Sequence, residues 1–221
     1  MFFWYNLPKP NAGGRINRKE TFMSDVVAIL SECKAMLTGH FLLSSGKHSS
    51  QYFQCARLLQ YPDKAEAVIG DVAAKISAEI KAGRLAVDSV IGPAMGGIVV
   101  AYELGRQLKV PAFFTERNDE GIMTLRRGFE ITPGEKIIIA EDVVTTGKST
   151  LETAEQIKAM GGVVVASICI VDRRPADAAE PFPWPLFAAL RQPAVLWDAD
   201  KCELCKEGKI PAVKPGSRKI F

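Results

Sequence analysis

Histidine is scarce in this chain of 221 residues: there are two, His40 and His48. Neither sits in a triad-like setting, so nucleophilic catalysis by an activated Ser or Cys is not expected. The five cysteines are odd in number and lack disulfide-framework spacing, which points to a reducing cytosol. Charge of one sign is not in excess, since 28 Lys and Arg face 25 Asp and Glu for a net +3. That balance neither requires nor excludes nucleic acid. The opening Met1 to Tyr5 is apolar but has no basic residues before it, and a polar stretch with Gly13-Gly14 follows, so neither a signal peptide nor a membrane span is expected there. No repeat or low-complexity block occurs, and 48% hydrophobic content suffices for the core of one compact enzyme.

Residues 1–22 read as a loose extension, because Met23-Ser24-Asp25 supplies a helix cap just before the first periodic apolar segment. Val26, Leu30, Cys33 and Leu37 then fall at helical spacing, and a polar turn over 44–50 leads to a short strand at Tyr52-Phe53. Pro62 and Asp63 open a second helix with Val68, Val72, Ile76 and Ile80 on one face, ending at Gly83. Strands over 89–91, 111–115, 136–140 and 163–171 alternate with helices over 98–108 and 149–160. Strand and helix in turn predict an α/β fold, a mainly parallel sheet flanked by helices. The charged stretch between Glu116 and Arg127 reads as a functional lid, too long for a tight turn. After Asp172 the chain becomes Pro-rich and aromatic. One domain over 23–221 is expected, with segments near 23–60 and 175–221 forming a small cap.

The most informative stretch is Ile137-Ile138-Ile139-Ala140-Glu141-Asp142-Val143-Val144-Thr145-Thr146-Gly147-Lys148-Ser149-Thr150. An apolar strand ends in two carboxylates, and a hydroxyl-rich turn opens a helix. The helix N-terminus favours a phosphate, Thr145, Thr146, Ser149 and Thr150 add donors, and Gly147 lets the backbone approach. Glu141 and Asp142 can accept hydrogen bonds from vicinal ribose hydroxyls and lie near developing positive charge. Gly147-Lys148-Ser149 looks like the end of a nucleotide-triphosphate loop, but that motif requires a glycine where Asp142 stands.

The stretch resembles the phosphoribosyl pyrophosphate (PRPP) signature of type I phosphoribosyltransferases, which implies PRPP contacts from Glu141 through Ser149, including Val143, Val144 and Lys148. The base is suggested by further likenesses to the orotate phosphoribosyltransferases. Leu43-Ser44-Ser45-Gly46-Lys47-His48-Ser49-Ser50-Gln51-Tyr52-Phe53 is similar to their N-terminal motif, and Gly92-Pro93-Ala94-Met95-Gly96-Gly97-Ile98 to their pyrophosphate loop, which adds Met95 and Gly96 to the PRPP contacts. Phe114-Thr115-Glu116-Arg117 with Leu125-Arg126-Arg127-Gly128-Phe129 resembles their mobile catalytic loop, and Asp172-Arg173-Arg174 the arginine that meets the orotate carboxylate. Thr145 is the second orotate contact that the resemblance implies. It also implies displacement at the anomeric carbon of PRPP by a ring nitrogen of orotate, Mg²⁺ held mainly by the substrate, and a homodimer whose mobile loop reaches the neighbour's site. No nucleic-acid or membrane partner is expected.

One departure stands out. No lysine occurs between Lys109 and Lys136, and Gly96 occupies a position where the family often has lysine. Arg117, Arg126 and Arg127 must then supply the positive charge, and arginine is too weak an acid to protonate the leaving group, so Arg117 is expected to act electrostatically beside Glu141 and Asp142. Two alternatives stay open: a purine-using enzyme of the same superfamily, and a non-catalytic PRPP sensor that binds RNA. Cys202-Glu203-Leu204-Cys205 invites a zinc reading, but the sequence offers no second Cys pair or nearby His, so two ordinary tail thiols are expected unless a site forms between subunits. The basic run from Lys206 to Lys219 reads as solvated surface.

Overall fold

The computed structural model describes residues 23–43, 45–178, 180 and 182–215. The expected extension over 1–22 and the end of the basic tail, 216–221, lie outside the described residues. The elements in chain order are α1 (Met23–Glu32), β1 (Met36–Leu42), β2 (His48–Phe53), α2 (Ala56–Leu59), α3 (Pro62–Lys81), β3 (Ser89–Pro93), α4 (Gly96–Leu108), β4 (Ala112–Arg117), β5 (Met123–Leu125), β6 (Lys136–Val144), α5 (Lys148–Ala159), β7 (Val163–Asp172), β8 (Leu186–Arg191), β9 (Leu196–Trp197) and α6 (Glu203–Glu207).

Six strands form the main sheet in the order β5-β4-β3-β6-β7-β8, parallel throughout except for β5, which runs antiparallel to β4. Both faces are covered, and the central strand shows it. Ile137 and Ile139 pack with Ile91, Ala154 and Ile157 on the α5 side. Ile138 and Ala140 pack with residues of α1, α3 and α4 on the other. A β-branched run with no exposed residue from Ile137 to Ala140 is what a doubly covered parallel strand requires, each isoleucine contributing about 1.5–3 kcal/mol of burial. In α3, Pro62 at the first turn presets the backbone, and Val68, Val72 and Ile76 are fully buried. Ile80, expected on the same face, is 37% exposed near the helix end.

Several expected boundaries differ. The first helix stops at Glu32 instead of reaching Leu37: Lys34 takes a left-handed φ of 52°, and the Ala35 N–H closes back on the Leu30 carbonyl. Leu37 therefore belongs to β1. The strand expected to end at Ala140 continues through Glu141 and Asp142 to Val144, held by pairing with β7 as far as Val144↔Asp172. The charged stretch expected as a long loop is a hairpin: β4 runs to Arg117, Asn118 Oδ1 accepts the N–H groups of Glu120 and Ile122, and β5 returns along β4. That Asn side chain, mimicking a backbone turn, makes tight closure possible within a charged stretch. β8 adds a sheet strand inside the segment expected to be cap alone.

A second sheet, β1-β2-β9, is antiparallel and joins the N-terminal hairpin to the tail. The tail also runs along β1, where the Leu42 N–H donates to the Val213 carbonyl and the Val213 N–H to the His40 carbonyl.

The main sheet dictates where a ligand can sit. The chain leaves β3 toward β4 on one side and resumes at β6 on the other, so the carboxyl ends of β3 and β6 border a topological switch point. At this crossing α4 approaches closely: a Cβ on Gly92 would lie 2.0 Å from the Gly97 carbonyl oxygen, and one on Gly97 2.8 Å from the Ala140 carbonyl oxygen. Because these obstacles are backbone atoms, Gly92→Ala is expected to cost about 3 kcal/mol and lower the melting temperature by about 6–12 °C. A thermal melt matching the wild type would show that this crossing tolerates more room than its geometry indicates.

Candidate active site at the sheet switch point

The end of β6 carries Glu141 and Asp142, and the turn after β3 carries Met95 and Gly96. The fold brings the two together: a Cβ on Gly96 would meet Asp142 Oδ2 at 2.3 Å. Any side chain at 96, a lysine included, would have to displace that carboxylate. The turn is anchored to β4 by the Ala94 N–H, which donates to the Thr115 carbonyl at 2.7 Å. Met95 is 81% exposed, so its side chain is free to meet a ligand.

Next along β6, residues Val143 to Thr150, with Glu141, line a small polar cleft. Gly147, at φ 76°, turns the chain into α5, whose first-turn amides have no intrahelical acceptors and face the cleft with the positive end of the helix. Thr145, Thr146 and Lys148 are exposed, and the buried Thr150 hydroxyl has no partner. Fixed amides, hydroxyls and a glycine at a helix start suit a phosphate group.

Glu141 and Asp142 do not behave as two independent carboxylates. Burial, and then the neighbouring charge of Asp142, push the Glu141 carboxyl up to about 9. Burial also raises Asp142, opposed by the Val143 N–H, which donates to Asp142 Oδ1 at 2.8 Å. Two adjacent carboxylates in a poorly solvated place resist carrying two negative charges. Glu141 Oε2 is buried and lacks a hydrogen-bond partner. The pair is poised to receive positive charge or hydroxyl donors.

Across β6, the chain end of β7 presents Asp172, Arg173 and Arg174, and the two arginines differ sharply. Arg174 is satisfied: it donates to Asp172 at 3.0 Å and to Glu180 at 2.9 Å. Arg191 also contacts Asp172. Burial opposes the Asp172 charge, but the Arg174 hydrogen bonds outweigh it and hold the carboxyl below its ordinary value. Arg173 is equally buried, at 5% exposure, yet it has only the Gln51 carbonyl at 3.1 Å and the Phe53 ring 5.0 Å beneath its guanidinium. Its Nε and one terminal nitrogen have no acceptor, and burial alone lowers its pKa. An unpaired buried guanidinium is costly, and a planar anion is the group that would relieve it. Its backbone N–H donates to the carbonyl of Val144, the residue before Thr145.

Arg117 is joined to the turn after β6 through Glu152, which also faces Lys148 at 3.8 Å. It donates to the Gly121 carbonyl and to Glu152 of α5, both at 2.6 Å. Arg126 and Arg127 face Glu116 at 3.9 and 3.0 Å. The hairpin's three arginines are thus all engaged by acids of the chain. The sequence signalled neither Glu152, one turn into α5, nor the supporting role of Phe53 and the Gln51 carbonyl, because these depend on hairpins folding across the ends of the sheet. The expectation that Cys202 and Cys205 lack a histidine is overturned: His40 of β1 and His48 of β2, distant in sequence, are folded against them.

Comparisons with known proteins agree with this geometry. A family model for the phosphoribosyl transferase domain matches residues 59–185. An orotate phosphoribosyltransferase of Pelotomaculum thermopropionicum is 46% identical over 196 residues, covering 89% of this chain and 98% of that protein. Among solved structures, orotate phosphoribosyltransferase from Aeropyrum pernix superposes with a TM-score of 0.63 at 26% identity, over 75% of this chain and 93% of its own. Adenine phosphoribosyltransferase from Saccharomyces cerevisiae shares the fold with a TM-score of 0.54 at 16% identity, over 74% of this chain and 99% of its own.

The raised carboxyl of Glu141 makes a prediction about stability. The folded state keeps a proton that the unfolded chain gives up above about pH 4.5, so this group's stabilisation is lost as pH rises toward 9. Glu141→Gln removes the effect. Between pH 6 and 9 the wild type should lose stability relative to the variant by up to about 1.4 kcal/mol per pH unit. Parallel curves in denaturant titrations across that range would show that Glu141 is ionised throughout.

Proposed function

The chain belongs to the orotate phosphoribosyltransferases, and on that premise we propose how its residues divide the work. The enzyme transfers the ribose 5-phosphate of PRPP to orotate, forming orotidine 5'-monophosphate and releasing pyrophosphate. A bond forms between the orotate ring nitrogen and the anomeric carbon as the bond to pyrophosphate breaks.

In our assignment the 5-phosphate sits on the turn from Thr145 to Ser149, held by first-turn amides, hydroxyls and Lys148. Glu141 and Asp142 take the ribose hydroxyls, and their shared negative charge offsets the cationic character that the sugar develops as pyrophosphate leaves. Met95 and Gly96 border the pyrophosphate, where the absence of a side chain at 96 lets the backbone come close. The two carboxylates are hard oxygen donors and Glu141 Oε2 lacks a partner, so the site fits a magnesium ion that brings most of its ligands with the substrate. Bound in this way, Mg²⁺ neutralises phosphate charge.

The observation that carries the choice of base is the unsatisfied guanidinium of Arg173. A free purine or uracil offers it no charge; orotate offers a carboxylate in the plane of its ring, and Thr145 follows Val144, whose carbonyl accepts the Arg173 N–H. The fold is shared with an adenine-using relative and does not decide the base. The RNA-binding alternative has nothing comparable in its favour, and the five free thiols suit a reducing cytoplasm. No helix among the described residues is long and apolar enough to cross a membrane.

Two tests separate these roles. Arg173→Met, followed by the loss of orotate absorbance with PRPP and magnesium, should raise the KM for orotate about 10–100-fold, from the roughly 1.5–3 kcal/mol of charge-assisted hydrogen bonding removed. The ligand-free variant should melt no lower than the wild type, because a buried unpaired charge has been replaced by an apolar chain. An unchanged KM would take the base away from Arg173.

Arg117 is assigned to the pyrophosphate of a neighbouring subunit in a homodimer. Its exposed ion pair with Glu152 is worth no more than about 1 kcal/mol, too little to hold it against a pyrophosphate. Val99 and Tyr102 are exposed on α4, a face that suits a subunit contact. Arg117→Ala should lose turnover with little change in orotate affinity. Mixing it with Arg173→Met chains should restore activity, since a hybrid dimer has one site with both native arginines. No recovery after subunit exchange would place Arg117 in its own chain's site or outside catalysis.

A further inference from the structure

Away from the switch point, the small antiparallel sheet holds the second concentration of chemistry in the described residues. The ligating atoms of His40, His48, Cys202 and Cys205 all lie within 4.8 Å of one another, and three of the four residues are buried. We propose that these side chains form a closed structural zinc site that fastens the C-terminal tail to the β1–β2 hairpin.

The donor geometry supports it. His40 Nε2 lies 3.5 Å from Cys202 Sγ, 3.6 Å from Cys205 Sγ and 2.7 Å from His48 Nδ1, and Cys205 Sγ lies 3.4 Å from His48 Nδ1. Bond lengths of about 2.0–2.1 Å to nitrogen and 2.3 Å to sulfur in a tetrahedron give edges of roughly 3.3–3.8 Å. The three nitrogen–sulfur separations fall in that range, and zinc would spread the two nitrogens by about half an ångström. His40 Nδ1 is 2.8 Å from the Ile210 carbonyl oxygen, which can only accept, so Nδ1 carries the proton and Nε2 directs its lone pair into the cluster.

Each ligand has a structural reason to be there. A β-bulge between Thr38 and Phe41 interrupts the register of β1 at His40, and His48 starts β2 opposite Leu42. Cys202 caps the N-terminus of α6, and Cys205 follows in its first turn, so the two thiols share one side. The site joins His40 to a cysteine 162 residues away.

The chemistry favours zinc over other occupants. Two imidazoles and two thiolates make a tetrahedral set of borderline softness, and four protein ligands leave no open position for a substrate. Binding replaces two thiol protons, which pass to solvent, and leaves two thiolates, two neutral imidazoles and Zn²⁺ with no net charge. That balance suits a buried site.

The full-length protein, purified without an affinity tag of histidines or added chelator, should contain close to one zinc per chain by elemental mass spectrometry. Cobalt(II) exchanged into it should give the intense visible bands of a tetrahedral thiolate site. Stripping the metal with a chelator should lower the melting temperature by at least about 5 °C, restored by zinc and not by magnesium. Cys205→Ser, at the exposed ligand, should keep the fold but lose most of the zinc; His48→Ala should do the same. Protein that neither contains zinc nor takes it up, a cobalt spectrum of octahedral type, zinc retained by both variants, or a Cys202–Cys205 disulfide in the unreduced protein would each overturn the assignment.

Discussion

Close approach of backbone to backbone at the β3–β6 crossing is the constraint on which the rest of this molecule depends. Gly92, Gly96 and Gly97 let the start of α4 lie directly against β6, so the turn after β3 and the carboxylates of β6 share one small volume. Dry, crowded surroundings raise the affinity of Glu141 for its proton, and the same lack of water would strengthen every interaction with a charged ligand. The topology adds the open crevice, because the strands on either side of this crossing run away from it in sequence.

Arg173 shows the opposite use of burial. Its neighbour Arg174 is surrounded by acids, while Arg173 is left with one carbonyl and an aromatic face. A protein selected for stability alone would remove or pair such a group. Two adjacent arginines of equal burial thus differ, one paired with acids and the other with unsatisfied donors, and nothing in the dipeptide tells them apart.

What could be read from the sequence was whatever lay contiguous in the chain. The apolar run before Glu141, the hydroxyls around Gly147 and the glycines after Ile91 each signal their geometry locally, and the alternation of strand and helix followed from their periodicities. What depended on distant partners was hidden. The strand expected over 136–140 was bounded by the polar Glu141 and Asp142, yet pairing with β7 carries it on to Val144. β8 was masked by the prolines around it, and the arginine hairpin by a charge pattern that usually marks loops. His40 and His48 offered no hint of Cys202 and Cys205, since only a completed fold brings positions so far apart into contact.

The small sheet also bears on how the polypeptide leaves the ribosome. β1 and β2 are made early, but their third strand, β9, and the backbone partner of β1 at Val213 come from the end of the chain. During synthesis this hairpin must wait with an open edge until β9 and Val213 have been added. The guanidinium of Arg173 rests on a carbonyl of that hairpin. That carbonyl therefore belongs to a hairpin whose open edge is covered only after β8, the last strand of the main sheet, has been made.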